Sequence, residues 1–324
     1  MLSSRERQRD HRIELENVGD HAMKRKAPVW VALMLCLLIP TDVLNQTTRK
    51  KVPEPQGPHI LGKLTTAKKT ISVFGQPIAY YEAGRGATLV LLAQLGWDSH
   101  MWSQNMPALA QNYRVIAIDL LGTGESSKPQ IDYKMDTWTD FIAEFLRLKG
   151  IRKATIVGSV MGGALAVQFA LDHPEMSDGF VCAASNSGPG EHQGGRQPAN
   201  WPSLAGMRRT LMASFYDKSL VTDEVVRQRF EYRLRIDDGY TIQRHLSDHR
   251  PPYSLQELST IKVPALFVWC RQDEITPLKW GEDYAAAVAG AQLVVIEGCG
   301  HYPNIEKPVE FNRAVVSFLK NRKP

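Results

Sequence analysis

Cysteine is scarce in this sequence. Cys36, Cys182, Cys270 and Cys299 are spread over 324 positions with no paired spacing, which excludes a zinc finger or ribbon and argues against a disulfide framework. Buried free thiols are the expectation, with a Cys182–Cys270 bridge left open because those strands should be neighbours. There is no glycine-rich phosphate loop, no Cys/His ligand set and no internal repeat, so nothing requires a metal or an organic cofactor. The apolar run 27–40 is shorter than the about 20 residues a spanning helix needs. The net charge of +5 is concentrated in Arg5, Arg7, Arg9, Arg12 and Lys24-Arg25-Lys26, which argues against a nucleic-acid surface on the domain that follows.

The N-terminal residues 1–22 are polar and charged without apolar periodicity, the pattern of a disordered segment. Lys24-Arg25-Lys26 followed by the run 27–40 matches the basic and apolar regions of a secretory signal. Thr41-Asp42-Val43-Leu44-Asn45 offers no small-x-small cleavage site. The expectation is therefore export by a cleaved signal, or membrane attachment by an uncleaved anchor, through residues 24–40. A cytoplasmic chain with a buried helix there is the alternative, and Met23 is a second candidate start. Pro53, Pro55 and Pro58 mark a linker. The domain reading is 1–50 disordered N-terminus plus signal or anchor, 51–69 linker, 70–184 and 259–324 the two parts of one α/β core, and 185–258 a helical insertion.

Within the core, short apolar runs rich in β-branched residues and without alternation read as buried parallel strands at 88–92, 114–119, 154–157, 179–184, 263–270 and 292–296. A hairpin precedes them at 70–73 and 77–81. Helical patterning falls at 106–110, 137–148 (capped by Asp136 or Thr137), 164–171 and beyond Pro308. Strand and helix in alternation predict a mostly parallel sheet with helices on both faces. The texture changes at 185–202, rich in Gly, Pro, Asn and Ser, before helical stretches at 204–215, 222–235 and 240–246.

Four loops at strand ends carry the chemistry. Gly158-Ser159-Val160-Met161-Gly162 has the strand–turn–helix layout of a nucleophile elbow, G-x-S-x-G, with valine where the serine belongs. Ala93-Gln94-Leu95-Gly96-Trp97-Asp98-Ser99-His100-Met101-Trp102 follows one strand, and Asp119-Leu120-Leu121-Gly122-Thr123-Gly124-Glu125-Ser126 the next. Arg271-Gln272-Asp273-Glu274-Ile275-Thr276-Pro277 and Glu297-Gly298-Cys299-Gly300-His301-Tyr302-Pro303 follow the last two. Together these motifs, over roughly residues 70 to 320, resemble the α/β-hydrolase superfamily, especially its small-ester, lactone and enol-lactone hydrolases. The resemblance implies the α/β-hydrolase fold. It makes Asp273 the residue that orients His301 as the base. It assigns the backbone N–H groups of Leu95 and Met161 to an oxyanion hole, Gly158 and Gly162 to the elbow, and Asp119 and Ser126 to structural roles. It further implies that 185–258 caps the pocket, with an apolar ceiling drawn from Trp201, Met207, Leu211, Met212, Phe215, Tyr216, Phe230 and Tyr232. His100 and Trp102 are expected to pack.

Val160 limits the chemistry, because an isopropyl group cannot attack a carbonyl. Ser159 should face away, since successive side chains at a strand end point to opposite sides. An elbow nucleophile usually sits at positive φ, which a β-branched residue resists, so a partly relaxed elbow is expected. The functional expectation is a capped pocket for a small ester- or lactone-like molecule. Its retained Asp273 and His301 would serve an atypical hydrolase or related base-catalysed reaction: direct water attack, elimination or cofactor-free oxygenation. The alternatives are an inactive pseudoenzyme that binds a small molecule, and a structural role in which the pair only holds loops.

Overall fold

The computed structural model describes residues 62–185, 187–189, 203–246 and 253–321. The signal or anchor expected at 24–40 and the first part, 51–61, of the linker expected at 51–69 lie outside the described residues, as does Trp201. Among the described residues no helix is long and apolar enough to cross a membrane.

In chain order the elements are β1 (Lys69–Val73), β2 (Gln76–Ala83), β3 (Thr88–Leu92), α1 (Met106–Leu109), β4 (Arg114–Ile118), α2 (Met135–Leu148), β5 (Ala154–Ser159), α3 (Met161–Asp172) and β6 (Ser177–Ala183). An insertion then contributes α4 (Leu204–Ser214), α5 (Asp223–Ile236), α6 (Gly239–Leu246) and α7 (Leu255–Ser259). The core resumes with β7 (Ala265–Cys270), α8 (Leu278–Ala287), β8 (Gln292–Ile296), α9 (Pro303–Glu306) and α10 (Pro308–Asn321). One sheet holds all eight strands in the order β1-β2-β4-β3-β5-β6-β7-β8. The β1–β2 hairpin and the β2–β4 pair are antiparallel, and every pair from β4 to β8 is parallel.

The strands are apolar on both sides because both sides are covered. Val90, Leu92, Ile156, Phe180 and Phe267 pack with Trp138 of α2, Leu165 of α3 and Tyr284 of α8. Leu89, Leu91, Val157, Val181 and Leu266 pack on the other face with Leu109 of α1, Phe311 of α10, and Met207 and Leu211 of α4. The insertion thus shares a core with one face of the sheet. The chain passes from β3 to β4 on one side of β3 and returns to β5 on the other. The ends of β3 and β5 therefore flank a topological switch point, where open α/β sheets place their ligands.

Two expectations are corrected here. Cys270 and Cys299 form a disulfide with Cα atoms 5.3 Å apart. Their separation in sequence hid that the parallel pairing of β7 with β8 sets Cys270 opposite Ile296, at the mouth of the loop holding Cys299. Cys182 is the buried free thiol, its pKa pushed up by burial. The cap expected at Asp136 or Thr137 is not made. The buried Met135 draws the helix back to Lys134, and Asp136 instead accepts a bond from Thr137 N–H within the first turn.

Candidate functional site

The elbow is held in its strained form. Val160 has φ 55° and ψ −110° and is fully buried, so the relaxation expected from a β-branched residue does not occur. The backbone is pinned on both sides, by Val160 N–H to Ala183 O at 2.8 Å and by Ala164 N–H to Val160 O at 3.0 Å. Gly158 and Gly162 make the turn sterically feasible. A Cβ on Gly158 would lie 1.8 Å from Gly162 O, and one on Gly162 2.1 Å from Leu92 O. Strain of about 1–3 kcal/mol is matched by burial of the valine side chain, worth roughly 1.5–3 kcal/mol. Ser159 turns away as its strand position requires, its hydroxyl donating to Asn304 Oδ1 at 3.1 Å. Asn304 in turn donates to Met101 O at 3.3 Å, so Ser159 ties the elbow to α9.

The parallel sheet brings Asp273 and His301 together from the ends of β7 and β8. His301 Nδ1 lies 3.0 Å from Asp273 Oδ2, with both residues buried. Thr276 Oγ1 donates to Asp273 Oδ2 at 2.6 Å, and the N–H groups of Ile275 and Thr276 donate to Oδ1 at 2.9 and 3.0 Å. Burial alone would raise the Asp273 pKa. The His301 imidazole and these donors outweigh it and hold the carboxyl below its ordinary range. A carboxylate only accepts, so Nδ1 carries a proton, and in the neutral tautomer this selects the lone pair lies on Nε2. His301 Nε2 is buried with no hydrogen-bond partner among the described residues. Its own N–H donates to Ser214 O at the end of α4, at 2.7 Å.

The loop after β3 supplies groups the sequence reading did not single out. Gln94, 6% exposed, places its side-chain oxygen 3.4 Å from Met161 N, which donates to it. Of the two N–H groups assigned to an oxyanion hole, the one on Met161 thus has an acceptor from within the chain. Leu95, half-buried, packs against the core. Gly96 O accepts from Arg229 Nη2 at 2.7 Å. The Arg229 guanidinium lies 3.9 Å from the centroid of the Trp97 ring, which meets Tyr302 at 5.2 Å. Gly96 stands at φ 80°, a conformation a side chain resists, and the Arg233 guanidinium fills the space a Cβ would take.

Asp98, also buried, accepts from His100 N–H at 2.9 Å and from the Tyr232 hydroxyl, and it faces His100 Nδ1 at 3.2 Å. Burial opposes its ionisation, but His100, Tyr232 and Arg229 together hold its pKa down. Arg229, buried on the same α5 face, has its pKa lowered by desolvation. Tyr232, expected among the apolar ceiling, is a polar anchor, and Tyr216 is half exposed. Met207, Leu211 and Phe215 are buried in the core shared with one face of the sheet. The signal for the missed residues was Arg229, Tyr232 and Arg233 on one face of α5, at i, i+3 and i+4. Asp119 and Ser126 hold loops. Asp119 accepts from Ser99 N–H and from Glu125 N–H at 2.8 Å each, and Ser126 Oγ accepts from Ala79 N–H at 2.9 Å.

The chain matches the model of the alpha/beta hydrolase family over residues 86–314. A 2-hydroxy-6-oxononadienedioate/2-hydroxy-6-oxononatrienedioate hydrolase of Burkholderia vietnamiensis is 32% identical over 263 residues, 75% of this chain and 91% of that one. The 2-hydroxymuconate semialdehyde hydrolase of Pseudomonas sp. (strain CF600) is 31% identical over 254 residues, 74% of this chain and 89% of that one. Among solved structures, the meta-cleavage product hydrolase of Pseudomonas fluorescens IP01 superposes with a TM-score of 0.72 at 30% identity, over 81% of this chain and 98% of that one.

Proposed function

Because this chain belongs to the α/β-hydrolase family, we propose that it takes a small acid with an ester-, lactone- or enol-like centre and acts on it by general-base chemistry at His301, without an acyl-enzyme. The observation that carries the reading is the Nε2 of His301, buried and without a hydrogen-bond partner among the described residues, with Nδ1 held by Asp273, in a chain whose elbow carries an isopropyl group. In direct hydrolysis Nε2 removes a proton from water as the water oxygen bonds to the substrate carbonyl carbon. The imidazolium then returns that proton to the leaving group. On an enol or an acidic C–H the same nitrogen shuttles a proton between carbon and oxygen. The relatives' names specify hydroxy-oxo acids and semialdehydes of the muconate type, and the buried Arg229 is the cation on the insertion that suits a carboxylate. In this reading helices α4 to α6 form the cap.

A second reading, binding without turnover, is favoured by Gln94, whose oxygen already satisfies Met161 N–H. The test is titration and turnover with 2-hydroxy-6-oxo-6-phenylhexa-2,4-dienoate, the compound named for another relative. Binding is expected to weaken at least about tenfold in Arg229→Met, the loss of one charge-assisted bond. Turnover should vanish in His301→Ala, with no covalent adduct on the wild-type chain by intact mass. Binding with no turnover supports the second reading, and absence of both sinks the proposal.

A further inference from the structure

Cys270 is the last residue of β7, and the chain leads from it straight into the turn that holds Asp273. Cys299 stands in Gly298-Cys299-Gly300, directly ahead of His301. The disulfide therefore joins the two loops whose side chains meet at 3.0 Å. Asp273 is fixed by its own turn, through the N–H groups of Ile275 and Thr276 and the Thr276 hydroxyl. His301 follows a glycine–cysteine–glycine run, with Gly298 at φ 69°, whose backbone is held by side chains and by the insertion: Gln272 accepts from Gly298 N–H, Glu306 from Gly300 N–H, and Ser214 O from His301 N–H. The disulfide at the centre of that run is the covalent tie between the histidine loop and the end of β7, where the other ties are hydrogen bonds. Both cysteines are fully buried and their Cα spacing suits an unforced bridge.

We propose that the Cys270–Cys299 disulfide is a positioning element for the Asp273–His301 pair, so that the oxidised chain holds the imidazole on the carboxylate and the reduced chain lets the histidine loop drift. Making the bridge takes two electrons and two protons from the thiols. They pass by thiol–disulfide exchange to an oxidised dithiol partner, the chemistry of compartments that receive exported proteins. The signal-like pattern at 24–40 points to the same compartment by an independent route. The proposal rests on the geometry of the pair and holds whatever molecule the pocket takes.

Two measurements test it. Alkylation with iodoacetamide under denaturing conditions, on full-length protein made in an oxidising host, should leave the peptides carrying Cys270 and Cys299 linked and unmodified until a reductant is added. Finding both alkylated beforehand overturns the proposal. The second readout is the low-field proton on His301 Nδ1, identified by its loss in His301→Gln. It should be sharp in the bridged chain and lost or displaced in Cys270→Ala/Cys299→Ala, with amide exchange at 297–302 at least about tenfold faster and a cooperative melting transition retained. Wild-type protein reduced with a phosphine should behave like the double variant and recover on reoxidation. That arm decides the matter where the variant fails to fold. An unchanged low-field proton, or loss of the whole fold in both samples, would mean that the bridge staples the domain and does not position the pair.

Discussion

At position 160 the backbone keeps φ 55° although its side chain has no oxygen to present. The turn is imposed from outside, by the hydrogen bonds to Ala183 and Ala164 and by the glycine clearances at 158 and 162. A serine placed there would enter a turn already shaped for it. Gln94 is the second obstacle, since its oxygen takes up Met161 N–H. Val160→Ser alone is therefore expected to react with a fluorophosphonate only slowly, and Val160→Ser/Gln94→Ala at least about tenfold faster, the equivalent of one recovered oxyanion donor. If the double variant labels no faster than the single one, Gln94 does not obstruct the hole. The meeting of Asp273 with His301 and the turn of Ser159 toward Asn304 were legible, because each follows from strand end and loop order. The sequence could not show the retained strain, because that depends on what β6 and α3 do to the turn. Nor could it show Gln94, whose side chain reaches a donor 67 positions away.

Among the elements, strands were the most legible and helix starts the least. The strand at 292–296 coincides with β8, whereas the helix expected at 164–171 begins at Met161, inside the elbow glycines. Two short helices, α7 and α8, had no expectation, although Ser254 and Glu257 form a capping box that the residues alone display. The charge cluster near the end of β2 was equally invisible, since it needs the register. Glu82 meets Lys69 of β1 at 3.0 Å, Arg114 of β4 at 2.7 Å and Lys149 beyond α2 at 3.2 Å. Burial works to raise its pKa, but the three cations outweigh that and lower it from 4.5 to about 2. A carboxyl with a depressed folded pKa adds stability that is complete above its unfolded pKa and disappears as pH falls through the folded one. Glu82→Gln should therefore lower stability at pH 7 by about 1 kcal/mol, the figure for a partly solvated network screened by water. The gap between the two melting curves should narrow below pH 4.5 and close near pH 2. A gap that persists at pH 2 would assign the loss to packing.

For the molecule as a whole, the fold was legible because alternating buried strands and helices admit few arrangements, and the switch point between β3 and β5 then fixes where the loops converge. How the insertion attaches was not legible, because the attachments are backbone groups and charged side chains distant in sequence. Among the described residues α6 is joined to the core by Arg244 on Asp132 and by His245 Nδ1, 3.3 Å from Tyr133 O, and two further ties lie nearer the site. One runs from α5 to the loop after β3, through Arg229 on Gly96 and Tyr232 on Asp98. The other runs from the end of α4 to the histidine loop, through His301 N–H on Ser214 O and through Glu306. The carboxylate of Glu306 accepts from Tyr216 N–H at 2.8 Å with one oxygen and from Gly300 N–H at 2.9 Å with the other. Both oxygens must accept, so an amide cannot substitute. In Glu306→Gln the –NH2 end confronts one of these N–H groups and leaves it without an acceptor, a cost of about 1–3 kcal/mol. The insertion should loosen first, because its grip on the histidine loop is lost while the sheet is untouched. Limited proteolysis is then expected to cut within 203–246 several-fold faster than in the wild type, with 62–185 still protected. Equal cutting rates would show that the attachments through α5 and α6 suffice without the one at Glu306. That result would move the weight of holding the insertion onto Arg244 and His245 together with Arg229 and Tyr232, the pair nearest the proposed acid site.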